Sequence, residues 1–322
     1  MHTDPSEPVE VAFVLGGGGI HGAAEVGMLQ ALAEHDIRPD LIVGTSVGAL
    51  NGAVLATDPD RAVERLRTLW ASLEQESPFE ASLFEQASTF ARSGTHLHGN
   101  HRLRRMLLTH LESRSFEDLQ VPFQCVAASI ESAAAHWFRA GPLIPALLAT
   151  TAIPGLLPPA EVDGEHFLDG GLVDSIPVDR AIELGARRIY VLQVGRVEQP
   201  LTVPRWPWQV GLVAFEIARR HRFVETMATI PNHVEVHVLP TGTGEDMGFT
   251  DPSQFRYRDL SNVGDRIAGA HEAASAYLQG RAEPGFAGPR PRDPGPRDPG
   301  PREPGSRDPD LRPPDRPRPG DD

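Results

Sequence analysis

The chain has 322 residues, enough for one large α/β domain or two small ones. Its formal net charge of −14 argues against nucleic acid as a partner and against electrostatic docking to anionic lipid. The single cysteine, Cys125, excludes an intramolecular disulfide framework, and its apolar neighbours predict a buried structural thiol. Residues 1–10 lack an apolar signal core, and no stretch offers the ~20 apolar residues of a spanning helix. We therefore expect a cytoplasmic protein.

Residues 281–322 differ in composition from the rest of the chain. They repeat an imperfect Arg-Asp-Pro-Gly-Pro unit and carry equal numbers of arginine and acidic residues. Such a segment has almost nothing to bury, so it predicts a disordered, polyproline-like tail. We expect three parts: an N-terminal extension at 1–10, one domain at 11–280 and the tail at 281–322.

The first predicted unit is a strand, a glycine loop and a helix. Residues 11–15 (VAFVL) form an apolar run of strand length, and the glycines at 16–19 end it. Ala24, Met28 and Leu32 then follow at helical spacing. Consecutive glycines allow backbone N–H groups to point at one spot, and the amides that begin a helix also attract negative charge. The loop is therefore a candidate site for an anionic group.

A dinucleotide site is the main alternative for this loop. Gly17, Gly19 and Gly22 satisfy the G-x-G-x-x-G pattern, but that pattern requires an acidic residue at the end of the second strand. Asp40 precedes the second strand instead, and the chain contains no lysine for a phosphate-binding P-loop. The pattern therefore favours another function for the loop.

The second predicted unit is a strand that ends in a sharp turn. Residues 41–43 (LIV) predict a buried strand, and 44–48 (GTSVG) follow it before another helix. A G-x-S-x-G sequence between strand and helix is the nucleophile-elbow pattern, in which glycines allow a tight turn that presents the serine hydroxyl. In a parallel sheet, this turn and the glycine loop lie at the carboxyl ends of neighbouring strands. We expect Ser46 to be a nucleophile that faces an oxyanion hole.

The rest of the chain alternates between predicted helices and strands. Helices are predicted at 60–76, 101–111 and 144–152, from Pro177 to about Gly185, and between the last two strands. Strands are predicted at 121–130, 136–139, 160–162, 166–168, 188–194 and 234–239. Asp163 and Gly164 predict a tight hairpin turn. This alternation indicates an α/β fold with a mainly parallel sheet that is covered on both faces.

Three histidines crowd into one irregular segment, at positions 96, 98 and 101. No carboxylate or cysteine completes a recognisable ligand spacing there. We therefore interpret these side chains as exposed loop histidines, and we expect neither a metal site nor a cofactor.

Taken in order, residues 17–22 (GGGIHG), 44–48 (GTSVG) and 169–171 (DGG) make the chain resemble the patatin-like phospholipases. The resemblance runs from about 11 to 195 and, more weakly, to about 278. The stretches ATTAIPGLLPP and DGGLVDSIPV look like the bacterial members. The resemblance implies a three-layer α/β/α sandwich with a mainly parallel central sheet. It also implies hydrolysis of lipid acyl esters by a Ser–Asp dyad through an acyl-enzyme intermediate.

The resemblance also implies roles for individual residues. Ser46 would be the nucleophile and Asp169 the base, while Gly17, Gly18 and Gly19 would supply the oxyanion donors. The remaining motif positions, which would support the site, are His21, Gly22, Gly44, Gly48, Gly170 and Gly171. The implied partner is a lipid acyl ester, with no cofactor, no metal and room for transient, peripheral contact with a membrane surface. Protein partners are not implied.

One position departs from the family pattern. The residue at His21 is usually arginine or lysine in the family, where the basic side chain steadies the loop or adds positive potential. A neutral imidazole does this less well, and we expect its charge to titrate at about pH 6–7. Alternatively, His21 only packs within the loop.

Several alternatives remain open. Asp169 would alternatively be only a turn carboxylate at the Gly170–Gly171 bend. A Ser–His–Asp triad would draw its base from the histidines that follow Asp169, which include His221, His233, His237 and His271. A lipid-binding protein on the same fold needs no base at all. Finally, 201–218 contains Trp206 and Trp208 and is either a lipid-contacting segment or an ordinary packed helix.

Overall fold

The computed structural model describes residues 9–75, 88–89, 91–194, 201–205, 207–242 and 262–286. The described residues all belong to one compact unit, Met1–Pro289, and residues 290–322 lie outside them. Most of the predicted extension and tail lies outside the described residues, so both stay predictions. The described part of the predicted tail differs from expectation, because Phe286 is buried and its ring lies 5.1 Å from that of Phe223.

Most predicted elements are present, with ends that differ by one to a few residues. The strands are β1 Val11–Leu15, β2 Leu41–Thr45, β3 Phe123–Ser129, β4 Ala134–Phe138, β5 Ala160–Val162, β6 Glu165–Asp169, β7 Arg188–Leu192 and β8 Glu235–Val238. The helices are α1 Ala23–Glu34, α2 Val47–Thr57, α3 Ala62–Gln75, α4 His101–His110, α5 Leu143–Thr150, α6 Val178–Glu183, α7 Pro207–Ala228 and α8 Val263–Leu278. Short 3-10 turns occupy Gly19–Gly22, Phe116–Asp118 and Gly170–Leu172. Helix α8 was not predicted from the sequence.

The central sheet is mainly parallel, as predicted. Strands β3, β2, β1, β7 and β8 lie side by side in that order, and all four neighbouring pairs are parallel. Strands β4 and β6 join β3 in the antiparallel sense, and β5 pairs with β6. The β5–β6 hairpin turns at Asp163 and Gly164, whose φ angles of 52° and 85° match the predicted tight turn.

Helices cover both faces of the sheet. Along β1, Phe13 and Leu15 belong to one core, whereas Ala12 and Val14 belong to a second. Helices α1 to α5 and α8 pack in the first core, and α6 and α7 in the second. The three-layer α/β/α prediction is therefore confirmed. Among the described residues, no helix is long and apolar enough to cross a membrane.

Strand β3 determines where the candidate site forms. Its residues 123–126 pair with β2 and its residues 127–129 pair with β6, whereas β4 pairs with 125–129. Strand β4 pairs with residues of β3 that also pair with β2 or with β6. Because a strand has only two edges, β4 occupies one edge of β3, and β2 and β6 share the other. They approach end to end, because Thr45 lies opposite Val126 and Asp169 lies opposite Ala127. The residues that follow β2 and end β6 must therefore meet.

Helix α8 packs closely along α1, and a glycine permits the approach. A Cβ atom on Gly27 of α1 would collide with the Ile267 carbonyl oxygen and crowd the His271 amide of α8. Both neighbours are backbone atoms of a helix and cannot turn away. The short distance between the axes of α1 and α8 thus depends on Gly27.

We predict that Gly27→Ala lowers the melting temperature. Overpacking costs about 1–3 kcal/mol when neighbours are rigid, more than the ~1 kcal/mol that alanine gains in a helix. Gly269→Ala on α8 is the matched control, because its Cβ would meet nothing within 4 Å, and this variant should be neutral or more stable. Thermal unfolding followed by circular dichroism measures both. Equal melting temperatures for the two variants would contradict the packing argument.

Candidate active site

Ser46 stands at the tight turn between β2 and α2. Its φ of 53° and ψ of −124° put a non-glycine residue in a sparsely populated region, a conformation that costs about 1–3 kcal/mol. Both flanking glycines are needed: a Cβ on Gly44 would lie 2.7 Å from Ala49 Cα, and one on Gly48 would collide with the Leu15 carbonyl oxygen. The turn therefore has the geometry of the predicted elbow, although the Ser46 residue is only 7% exposed.

The Ser46 hydroxyl is bonded directly to a carboxylate. Its Oγ donates to Asp169 Oδ2 at 2.7 Å, between residues 123 positions apart in the sequence. The other carboxylate oxygen, Oδ1, accepts from the Gly171 amide at 2.8 Å. The Ser46 amide donates to Thr150 Oγ1 at 2.9 Å, and the Asp169 amide to the Ala152 carbonyl at 2.9 Å. Helix α5 and the turn after it thus hold both residues from the same side.

Burial changes the basicity of this carboxylate. Asp169 is 3% exposed, and its burial raises its pKa to about 6, against the opposing effect of its hydrogen bonds from Ser46 and Gly171. Desolvation penalises the charged form of an acid, so a buried carboxylate holds a proton more tightly than an exposed one. A carboxyl group with this pKa can accept a proton from a serine hydroxyl near neutral pH.

The glycine loop lies directly against the nucleophile. A Cβ on Gly17 would lie 3.5 Å from Ser46 Cβ. The Gly17 amide donates to the Ser175 carbonyl at 2.9 Å, so it is already engaged. Within the described part of the chain, the Gly18 and Gly19 amides donate no hydrogen bond. Of the three predicted oxyanion donors, these two are available in this conformation.

His21 follows this loop and is neutral. Its burial, reinforced by Arg266, lowers its pKa to about 4, so the expected titration at pH 6–7 is wrong. His21 Nδ1 lies 2.7 Å from Arg266 NH1 of α8. Because a guanidinium can only donate, Nδ1 accepts this bond, and the ring proton resides on Nε2.

The candidate triad histidines all lie elsewhere. His221 Nε2 lies 3.3 Å from Glu225, His271 Nε2 lies 2.7 Å from Glu34, and His237 Nδ1 lies 2.8 Å from the Tyr277 hydroxyl. His233 is exposed. None of these contacts involves the nucleophile or its carboxylate.

The histidines of the irregular segment differ partly from expectation. His101 is exposed as predicted, but His98 is buried, and its burial lowers its pKa. Over the described ranges, no group of three histidine, cysteine, aspartate or glutamate side chains could hold a metal ion. Cys125 is fully buried in β3, as predicted, and burial raises the pKa of its thiol.

Comparison with known proteins identifies the family. The family model described as patatin-like phospholipase matches residues 13–182, more than half of the chain. The chain belongs to the patatin-like phospholipase family.

Several family relatives are much longer proteins. The chain is 33% identical over 200 residues to patatin-like phospholipase domain-containing protein ZK370.4 of Caenorhabditis elegans, a match covering 59% of the chain and 14% of that protein. It is 33% identical over 196 residues to patatin-like phospholipase domain-containing protein 7 of Rattus norvegicus, covering 60% of this chain and 14% of that protein. It is 29% identical over 197 residues to lysophospholipase NTE1 of Mycosarcoma maydis, covering 61% of this chain and 10% of that protein. Among solved structures, VipD from Legionella pneumophila matches with a TM-score of 0.43 and 13% identity, covering 85% of this chain and 67% of that one.

In this patatin-like chain, a buried polar network beneath the glycine loop was not predicted from the sequence. Asn51 Nδ2 donates to the Gly22 carbonyl at 3.0 Å and to Glu25 Oε2 at 2.7 Å, and Trp70 Nε1 donates to Asn51 Oδ1 at 3.1 Å. Burial raises the pKa of Glu25 well above its usual range. The network joins α1, α2 and α3. Its signal in the sequence is a polar residue within an otherwise apolar helix, at positions 25 and 51.

Proposed function

We propose that the chain is a serine hydrolase of lipid acyl esters that acts through a Ser46–Asp169 dyad. The bond between Ser46 Oγ and Asp169 Oδ2 carries this proposal, because it joins a nucleophile at an elbow to a base without an intermediate group. Membership of the patatin-like family supports the reaction class.

The proposed reaction has two stages. Ser46 Oγ attacks the ester carbonyl while its proton passes to Asp169, and the amides of Gly18 and Gly19 stabilise the oxyanion. The tetrahedral intermediate collapses, and the alcohol leaves with the proton from Asp169. Water then attacks the acyl-enzyme and Asp169 again accepts a proton. When this second intermediate collapses, the fatty acid leaves and Asp169 returns the proton to Ser46 Oγ.

The names of relatives support a substrate class. Fungal relatives such as the one from Mycosarcoma maydis are named lysophospholipases. We propose phospholipids or lysophospholipids as substrates for this chain, without a cofactor. A lysophospholipid has one acyl chain and leaves the membrane more readily than a two-chain lipid, so it can reach a buried serine with less disturbance of the bilayer.

Two other functions are less well supported. A Ser–His–Asp triad needs an imidazole beside Ser46, and each of the four candidate histidines lies elsewhere. A non-catalytic lipid-binding protein has no need for a strained serine bonded to a buried carboxylate, since the strain and the burial both cost stability.

We predict that Ser46→Ala has no measurable esterase activity and that Asp169→Asn loses at least ~10²-fold in kcat, the low end for a general base. Hydrolysis of a chromogenic acyl ester and of lysophosphatidylcholine measures both, and labelling by a fluorophosphonate should vanish in Ser46→Ala. His221→Gln is the control and should retain full activity. Ser46→Ala with activity within tenfold of wild type would exclude the dyad, as would a folded variant of a histidine distant from the glycine loop that is as inactive as Ser46→Ala.

The pH dependence gives an independent prediction. Asp169 must be charged to accept a proton, so kcat/KM should fall as pH falls through about 6 and level off above it. An ordinary exposed aspartate would move this limb to roughly pH 4. Raising the temperature separates a carboxyl from an imidazole, because carboxyl ionisation has little enthalpy. A limb that shifts strongly to lower pH on warming would identify a histidine and contradict the proposal.

Exposed apolar side chains at the Asp169 turn and along α7 support transient contact with a membrane. Leu172, next to the Asp169 turn, is 37% exposed, and Val210 and Ile217, two turns apart on α7, are each 55% exposed. Trp206 and the side chain of Trp208 lie outside the described residues. We propose a peripheral protein of the cytoplasm whose α7 face meets the lipid surface through apolar contact, since the chain is acidic.

We expect Val210→Gln with Ile217→Gln to weaken sedimentation with phosphatidylcholine vesicles at least severalfold, because both exposed apolar groups are lost. Leu108→Gln is the control: Leu108 is 37% exposed on α4, which packs on the opposite face of the sheet. Hydrolysis of a soluble short-chain ester should be unchanged in both proteins. Equal vesicle binding by the two would exclude this face of α7.

A further inference from the structure

A buried arginine reaches the glycine loop from a distant helix. Arg219 of α7 is 5% exposed, and its NH1 donates to the Gly17 carbonyl at 3.2 Å, across 202 positions of sequence. On the same helix, Glu216 Oε1 lies 3.2 Å from Arg219 Nε and Oε2 accepts from NH2 at 3.3 Å. Glu216 therefore fixes the direction of the Arg219 guanidinium. It also accepts from Arg220 Nε at 3.2 Å, so one carboxylate is shared by two arginines and the three side chains together keep a positive charge.

The bond to the Gly17 carbonyl also orients an amide. A trans peptide is planar, so its carbonyl and its N–H point in opposite directions. The Gly17 carbonyl and the Gly18 N–H belong to one peptide. The bond from Arg219 to the carbonyl therefore fixes the direction of the N–H. The charge also polarises this peptide, which makes the Gly18 N–H a stronger donor.

The two neighbouring peptides are held as well. The peptide before is fixed by the Gly17 amide, which donates to Ser175 at 2.9 Å, and the peptide after by the Gly18 carbonyl, which accepts from the His21 amide at 3.2 Å. Of these three peptides, only the middle one, Gly17–Gly18, is held by a side chain, that of Arg219. If that peptide turned over, a carbonyl oxygen would replace an N–H at the place where the oxyanion forms.

Arg219 also brings charge that the loop itself lacks. His21 is neutral and accepts from Arg266, so the loop carries no positive side chain of its own. Arg219 is close enough to contribute to the lowered pKa of His21. A positive group behind the loop stabilises an anion in front of it.

We infer that Arg219 is a positioning residue for the oxyanion hole: it fixes the Gly17–Gly18 peptide and supplies positive charge that His21 cannot. The catalytic part of this inference rests on the proposed function, since an oxyanion forms only if Ser46 attacks an acyl carbonyl. The structural part, that Arg219 holds the loop, does not.

The test compares Arg219→Met with Arg65→Met in the full chain. The side chain of Arg65, on α3, is 14% exposed and pairs with Glu112 at 2.7 Å and with Asp58, beyond the C-terminal end of α2, so this variant removes the same charge away from the loop. Hydrogen exchange of a peptide covering residues 15–22 reports on the loop whether or not the protein is an enzyme. Arg219→Met should exchange faster in this peptide, and Arg65→Met should match wild type.

Kinetics then test the catalytic part. In Arg219→Met we expect kcat to fall about 10- to 100-fold, below the loss for a direct oxyanion donor, with KM changed less than about twofold. Affinity for an acyl trifluoromethyl ketone, whose adduct with serine carries an oxyanion, should fall in parallel with kcat/KM. A loss confined to KM, or a ketone affinity equal to wild type, would overturn the role in the oxyanion hole.

The outcomes separate the two proposals. Wild-type exchange at 15–22 in Arg219→Met would overturn the inference, whatever the activity. Faster exchange in a protein whose wild type neither hydrolyses esters nor reacts with a fluorophosphonate would contradict the proposed function and support only the structural part. Should Arg219→Met melt below the assay temperature, Arg219→Lys replaces it: the charge remains but the reach is shorter, so intermediate kcat and exchange are expected. Wild-type values in Arg219→Lys would overturn the need for the bond to Gly17.

Discussion

The candidate site depends on one feature of the sheet, the edge of β3 that β2 and β6 share. Two strands that run toward each other along one edge must stop where they meet, and the residues at their ends, Ser46 and Asp169, become neighbours. Hydrogen bonding along β3 fixes the register of both strands. The 2.7 Å bond between the two side chains is thus set by backbone pairing and does not rely on flexible loops.

Burial then sets the chemistry of the acids around this junction. Desolvation is the largest effect on the carboxyl groups of Asp169, Glu25 and Asp174, and it raises the pKa of each. Only Asp169 has a bound hydroxyl to deprotonate. Glu25 instead joins helices below the loop, and Asp174 accepts the Thr45 hydroxyl through its backbone carbonyl. Similar burial therefore accompanies the proposed catalytic role of Asp169 and the structural roles of Glu25 and Asp174.

The sequence predicted those parts of the fold that depend on residues close together in the chain. Apolar runs, the Asp163–Gly164 turn and the glycines around Ser46 act within a few residues, so the sheet, the hairpin and the elbow could be predicted. The contacts of His21 with Arg266 and of Gly17 with Arg219 span 245 and 202 positions, and no local pattern announces them. The pKa expected for His21 was wrong for the same reason, because distant helices bury its imidazole. Helix α8 was missed because its alanine-rich face fits against α1 through Gly27, without a strong apolar stripe of its own.

The packing of α8 on α1 has a consequence for the order in which the chain acquires its fold. A ribosome delivers the glycine loop and Ser46 early, Asp169 much later, and Arg219 and Arg266 later still. Until α8 has emerged, α1 lacks its neighbour and His21 lacks the donor to its ring nitrogen. Native contacts of such long sequence separation form only after the intervening chain has been made. A nascent or truncated chain would thus carry the serine without its complete surroundings. Under the proposed function, it would gain acyl-ester cleavage only when synthesis of the domain is nearly finished.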